Sequence, residues 1–232
     1  MINFIQEYPF ILASLLGLTP ALIWLWFWLK EDTHPEPAKI LTLAFLGGML
    51  AVFLVLPVQK LVYYYFRNYN FLSFTLWAAI EEIFKFVFVY FIALRNKVTD
   101  EPVDDIIYLV VSALGFVTLE NTLFLVNPIS NGDIVGVVVN SNLRFIGASL
   151  LHIMSSATIG IFMGLAFYKN KLHKRLYLIT GIISAIVLHS AFNSFIIKQN
   201  GVNIFLIFGA VWVGVILLLL FFEKVKAENP KN

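Results

Sequence analysis

The sequence predicts an all-α, polytopic membrane helix bundle of about seven transmembrane helices, with the N-terminus outside and the C-terminus cytoplasmic. Three observations carry this. Of 232 residues, 60% are hydrophobic and 13% charged, whereas a soluble domain is usually about 25% charged. Apolar runs of about 20 residues recur, the length that crosses a ~30 Å hydrocarbon core. Lysine and arginine fall unequally on the two sides of those runs.

The spans read as Phe10–Leu29, Ile40–Tyr64, Phe71–Leu94, Ile106–Val126, Leu143–Tyr168, Leu176–Ile197 and Val202–Phe222. The polar breaks between them are Lys30–Pro37, Arg67–Asn70, Arg95–Asp105, Asn127–Asn140, Lys169–Arg175 and Lys198–Gly201. Met1 to Tyr8 lacks Lys and Arg, and the run that follows is too long for a secretory signal core, so the first span is read as retained. Eleven basic residues lie on one side of the spans and three on the other, with Lys85 and Arg144 inside them. The richer side is expected to be cytoplasmic. No internal repeat, low-complexity tract or separate soluble domain is visible, so residues 1–232 read as a single integral membrane domain.

Composition also excludes. A net charge of +2 and the lack of a basic patch with interleaved aromatics argue against nucleic acid as a partner. The chain has no cysteine, which removes disulfides and thiolate-held metals. Trp24, Trp26 and Trp28 read as interfacial anchors of the first span, and Tyr63 to Tyr65 as the same on the second.

The most informative feature is a pair of adjacent carboxylates, Glu81 and Glu82, in the middle of the third apolar run. A single carboxylate near the bilayer centre costs roughly 2.5 kcal/mol or more. Two side by side repel, which favours protonation of one or capture of a cation. Lys85 lies one turn further on and can neutralise one of them.

A rise of ~1.5 Å per residue gives each ionisable group a depth. Glu81 lies ~15 Å below the outer edge, Glu120 ~9 Å, His152 ~13 Å, His189 ~12 Å and Asn193 ~6 Å. Four consecutive helices thus place ionisable residues in one layer in the outer half of the membrane. Within that layer Asn193 follows His189 by one helical turn, and Ser155 and Ser156 follow His152. Glu120 and Asn121 point ~100° apart. Arg144, two turns before His152, is expected to pair with Glu120 or one of the glutamate pair.

These residues, in order, resemble the PrsW family of intramembrane proteases, distant relatives of the CAAX prenyl-protease and bacteriocin-immunity superfamily. The resemblance rests on Glu-Glu-x-x-Lys at Glu81, Glu82 and Lys85, on Gly-Phe-x-x-x-Glu-Asn from Gly115 to Asn121, on Arg144 followed by His152, on His189 with Asn193, and on the Asp32–Pro37 loop. It covers roughly residues 20 to 200. It implies cleavage of single-span membrane proteins such as anti-sigma factors, in the inner membrane of a bacterial cell. It implies Glu81, Glu82 and His152 as catalytic positions, with Glu120 and His189 as further site residues and Lys85, Asn121, Arg144 and Asn193 in support.

Two versions of the chemistry follow. In one, a glutamate acts as general base on water while a histidine protonates the leaving amine. In the other, His152, His189 and Glu82 hold zinc or another divalent metal, a His/His/Glu set with an open position. The residues alone lean to the first and leave the second open. The zincin signature His-Glu-x-x-His is absent, and so are the serine and aspartate signatures of other intramembrane proteases. The rival classes are an ion-coupled transporter, since mid-membrane carboxylates also relay protons, and a non-catalytic immunity or scaffold protein.

Overall fold

In a computed structural model of the chain, residues 8–66, 71–198 and 204–228 are described, and all the regular structure among them is helical. Helix α1 (Pro9–Glu31) starts with a proline in its first turn, where the missing N–H costs no hydrogen bond. Helix α2 (Ala38–Phe66) and helix α3 (Phe71–Val89) follow, the latter running into a π-helical turn, Tyr90–Leu94. Helix α4 is Asp104–Ser130 and helix α5 Ile134–Leu143. A second π-helical turn, Arg144–Ala148, leads into helix α6 (Ser149–Leu165). Helices α7 (Lys171–Lys198) and α8 (Ile204–Lys226) complete the order.

Among the described residues, four stretches are long and apolar enough to cross a bilayer: α1, α2, α4 and Lys171–Ser194 of α7. The chain is an integral membrane protein on this ground. The expected third span is helical throughout, yet Glu81, Glu82 and Lys85 break its apolar run. The expected break at Asn127–Asn140 is mostly helical. Helix α4 continues to Ser130, turns through Gly132 at a φ of 69°, and the chain is helical again from Ile134. Glycine suits that left-handed position because it has no Cβ. Asp133 then caps α5 by accepting the Gly136 N–H at 2.8 Å. Within this expected polar break, Ile134, Val135, Val138 and Val139 are exposed, while Val137 packs against the cluster of Leu125 and Ile129.

Helix α4 is the centre of the bundle. Of its most apolar stretch, 78% is buried, against 22–33% for the other three candidate spans. It packs on α1, α2 and α6, and α6 packs in turn on α7. Helix α2 meets α4 backbone to backbone: a Cβ on Gly48 would strike the Ser112 carbonyl, and one on Gly115 would strike that of Phe45. Small residues at a crossing allow this approach. Trp28 departs from its expected role as an anchor. It is buried, edge-on to Phe222 with ring centroids 5.4 Å apart, because α8 returns over the end of α1. Trp26 stays exposed, with the Lys30 ammonium 5.4 Å above its ring. Tyr63, Tyr64 and Tyr65 are exposed at the end of α2.

Candidate active site

Helices α3, α4, α6 and α7, with the π turn before α6, bring seven side chains together: Glu81, Glu82, Lys85, Glu120, Arg144, His152 and His189. The two adjacent glutamates differ sharply in environment. Glu82 is fully buried and saturated. Its Oε1 accepts from Lys85 Nζ at 2.6 Å and from His189 Nδ1 at 2.7 Å, and its Oε2 accepts from the Ser156 hydroxyl at 2.9 Å. Such a buried carboxylate persists because each of its oxygens is met by a donor.

Glu81 is nearly as buried but half satisfied. Its Oε1 accepts from the Gln59 side-chain amide at 2.7 Å. Its Oε2 is buried and has no hydrogen-bond partner among the described residues. That oxygen lies 3.6 Å from His189 Nε2 and 3.9 Å from His152 Nδ1.

The hydrogen bonds assign the tautomers. Glu82 accepts, so His189 Nδ1 carries the proton and Nε2 presents a lone pair. Lys85 Nζ donates to His152 Nδ1 at 3.1 Å, and His152 Nε2 donates to Glu120 Oε2 at 3.2 Å. Two imidazole lone pairs therefore face the orphaned oxygen of Glu81. The Lys85 ammonium meets the one on His152, and nothing among the described residues donates to the one on His189. The two rings stand edge to face, 5.0 Å apart, and Phe116 packs 5.2 Å from His152 and 5.0 Å from the Lys85 ammonium.

Glu120 and Arg144 form the open end. Their side chains are 20% and 17% exposed, against 0–7% for Glu81, Glu82, Lys85, His152 and His189. Arg144 Nη2 meets Glu120 Oε2 at 2.5 Å, its Nε donates to Asn121 Oδ1 at 2.6 Å, and its guanidinium lies 3.9 Å from the Phe124 ring centroid. Arg144 reaches this position from the π turn between α5 and α6. Of the two carboxylates expected to take Arg144, Glu120 does so.

Glu81, His152 and His189 each offer an atom to a common point, with all three atoms within 4.8 Å of one another. Four-coordinate zinc with ligands at ~2.0–2.2 Å spaces them roughly 3.3–3.5 Å apart, close to the 3.6 and 3.9 Å seen here. The trio fits a divalent ion by donor type, by spacing and by the orphaned oxygen, provided the Lys85 ammonium yields the His152 Nδ1 lone pair that it meets here. The set expected from the sequence has Glu82 in it; here the Glu81 oxygen faces both histidines, and Glu82 bonds to the far nitrogen of His189. This is the carboxylate–histidine support typical of metal sites.

Asn193 is half-buried one turn beyond His189 and makes no side-chain hydrogen bond to the cluster among the described residues. Gln59 was not singled out by the sequence reading. The available signal is an uncharged amide in the outer part of the second apolar run, with no charged partner suggested by a helical spacing. A second carboxylate group, Glu36, Asp100 and Asp104, joins the loop before α2 to the start of α4, and the Tyr108 hydroxyl donates to Glu36.

A family model described as PrsW family intramembrane metalloprotease matches residues 36–222. The chain belongs to the PrsW family. It is thus an enzyme of a peptidase family, with the glutamate pair, Glu120, His152 and His189 all inside the matched region. Among its relatives, Protease PrsW of Halalkalibacterium halodurans is 28% identical over 92% of this chain and 95% of its own length. Protease PrsW of Geobacillus kaustophilus is 29% identical over 79% of each chain, and that of Oceanobacillus iheyensis 30% identical over 78% of this chain and 81% of its own. No solved structure matches the chain.

Proposed function

We propose that this PrsW-family protein hydrolyses a peptide bond of single-span membrane proteins, anti-sigma factors among them, in the outer half of a bacterial inner membrane. The observation that carries the proposal is the buried Oε2 of Glu81, without a hydrogen-bond partner among the described residues, facing His189 Nε2 and His152 Nδ1. A group of that kind is stable only beside a cation or a bound water. The whole chain acts as one unit of seven spans, N-terminus outside, as the basic-residue asymmetry indicates.

Glu81, His152 and His189 would hold the metal. When bound, it would polarise the scissile carbonyl and supply a water acidified to a pKa near ~7. The surrounding residues prepare the site. Glu82 fixes the His189 tautomer, and Lys85 neutralises Glu82. The segment to be cut enters at the exposed Glu120–Arg144 end. Arg144 holds its carbonyl oxygen, and Glu120 takes a proton from water and returns it to the leaving amine. Helical peptide bonds are shielded by their own hydrogen bonds, so the substrate helix unwinds there first. Should the protein act without metal, the same Glu81 oxygen is the free base.

The test is cleavage of a tagged library of single-span membrane proteins in reconstituted vesicles. Wild type is compared with folded Glu81→Gln, Glu82→Gln and His152→Ala variants. Products made by wild type and lost in the variants support the reading. Products that persist in Glu81→Gln overturn the assigned role of Glu81. Flux of ions without any product favours a carrier instead.

A further inference from the structure

We infer that Gln59, on helix α2, is a positioning residue for the reaction, setting which oxygen of Glu81 faces the two histidines. The inference rests on Glu81 acting as proposed above. The Gln59 amide supplies the sole hydrogen bond that the Glu81 carboxylate receives among the described residues, at 2.7 Å to Oε1. The contrast with Glu82, held by Lys85, His189 and Ser156, is complete. The terminal torsion of a glutamate is broad. Without a donor on Oε1, nothing in the cluster prevents the carboxylate from rotating and withdrawing Oε2 from between His152 and His189.

Gln59 is itself held. The Trp77 indole N–H donates to its backbone carbonyl at 3.2 Å. Trp77 and Glu81 lie one turn apart on the same face of α3. One helix thus grips Gln59 twice, at the carbonyl through Trp77 and at the side chain through Glu81, and the register of α2 against α3 becomes the orientation of a carboxylate. The amide is chemically suited to this work. It donates to an ionised carboxylate without adding charge to a layer that already holds three carboxylates, a lysine and an arginine.

The experiment uses the full-length protein in detergent, wild type and the variants Gln59→Leu, Gln59→Glu and Glu81→Gln, each checked for unaltered thermal unfolding. Cobalt(II) is the first probe, because its visible absorption reports ligand set and geometry without any substrate. A supporting residue around a metal typically contributes 10–100-fold in affinity or activity. Gln59→Leu is expected to weaken cobalt binding by that factor and to change the band shape. On a substrate segment cleaved by wild type, it lowers kcat and leaves KM in place. Gln59→Glu keeps the bond only while one proton is shared between the two carboxyls, so its activity profile moves to lower pH. A merely structural residue would give neither the spectral change nor the acid-shifted profile. Wild-type cobalt spectra and kcat in a folded Gln59→Leu variant overturn the inference. A Glu81→Gln variant that binds cobalt and cleaves like wild type overturns instead the underlying assignment of Glu81.

Discussion

His189 Nδ1 lies 2.7 Å from Glu82 Oε1, across 107 residues of chain, and both groups are almost fully buried. This contact divides the labour of two neighbouring glutamates. Glu82 is committed to orienting an imidazole, and Glu81 is left to meet whatever that imidazole and His152 face.

Glu82→Gln is therefore expected to act on the site indirectly. The amide keeps the shape of the side chain but cannot satisfy the Lys85 ammonium as a carboxylate does. Zinc affinity should fall by about 10–100-fold, as for other supporting residues of metal sites. Competition against a chelator at fixed pH measures it. An affinity equal to wild type would remove Glu82 from this role and from the ligand set alike.

The Lys85–Glu82 pair has no exposed surface at all. Removing one partner of such a pair costs about 3–5 kcal/mol, since the other charge stays buried alone. Lys85→Met should destabilise the protein by that order. The double variant Lys85→Met with Glu82→Gln should cost clearly less than the two single changes added together. Unfolding by denaturant in mixed micelles gives the cycle. Strict additivity would mean the two groups are not coupled.

The loop before α2 carries a pH dependence of its own. Burial pushes the Glu36 carboxyl above the usual carboxylate range, an effect that outweighs the hydrogen bond from Tyr108. Burial raises Asp32 likewise, against the backbone N–H of His34 at 3.0 Å. A raised carboxyl binds its proton more tightly in the folded state. Its contribution is full below the unfolded value near ~4.3 and lost as pH rises through the folded one. Glu36→Gln should therefore raise Tm more at pH 8 than at pH 4.5, a difference read by thermal scans at the two values. Equal shifts would show that Glu36 ionises as freely folded as unfolded.

The layer of ionisable groups was legible because depth follows from residue count alone: a helix rises a fixed distance per residue, whatever it packs against. Glu81, Glu120, His152 and His189 do meet. Gln59 was not legible because its partner Glu81 sits on a neighbouring helix that only packing brings near. Trp28 was misplaced because an indole suits an interface and a core equally well, and only the return of α8 over α1 decides between them. The run from Ile134 to Val139 became a helix because Gly132 and Asp133 end one helix and cap the next, signals that sat inside a stretch read as a polar break.

By itself the sequence determined that this protein is a helical membrane protein of the PrsW type, with carboxylates and imidazoles at one level. It could not say which glutamate does what. Glu81 and Glu82 project ~100° apart on α3, so the rotation of that helix about its axis decides which of them faces the two histidines. The rotation is set by contacts with α2, α6 and α7, from Gln59, Ser156 and His189. Those contacts join residues from 22 to 107 positions apart in the chain, and only the packed bundle brings them within hydrogen-bonding distance.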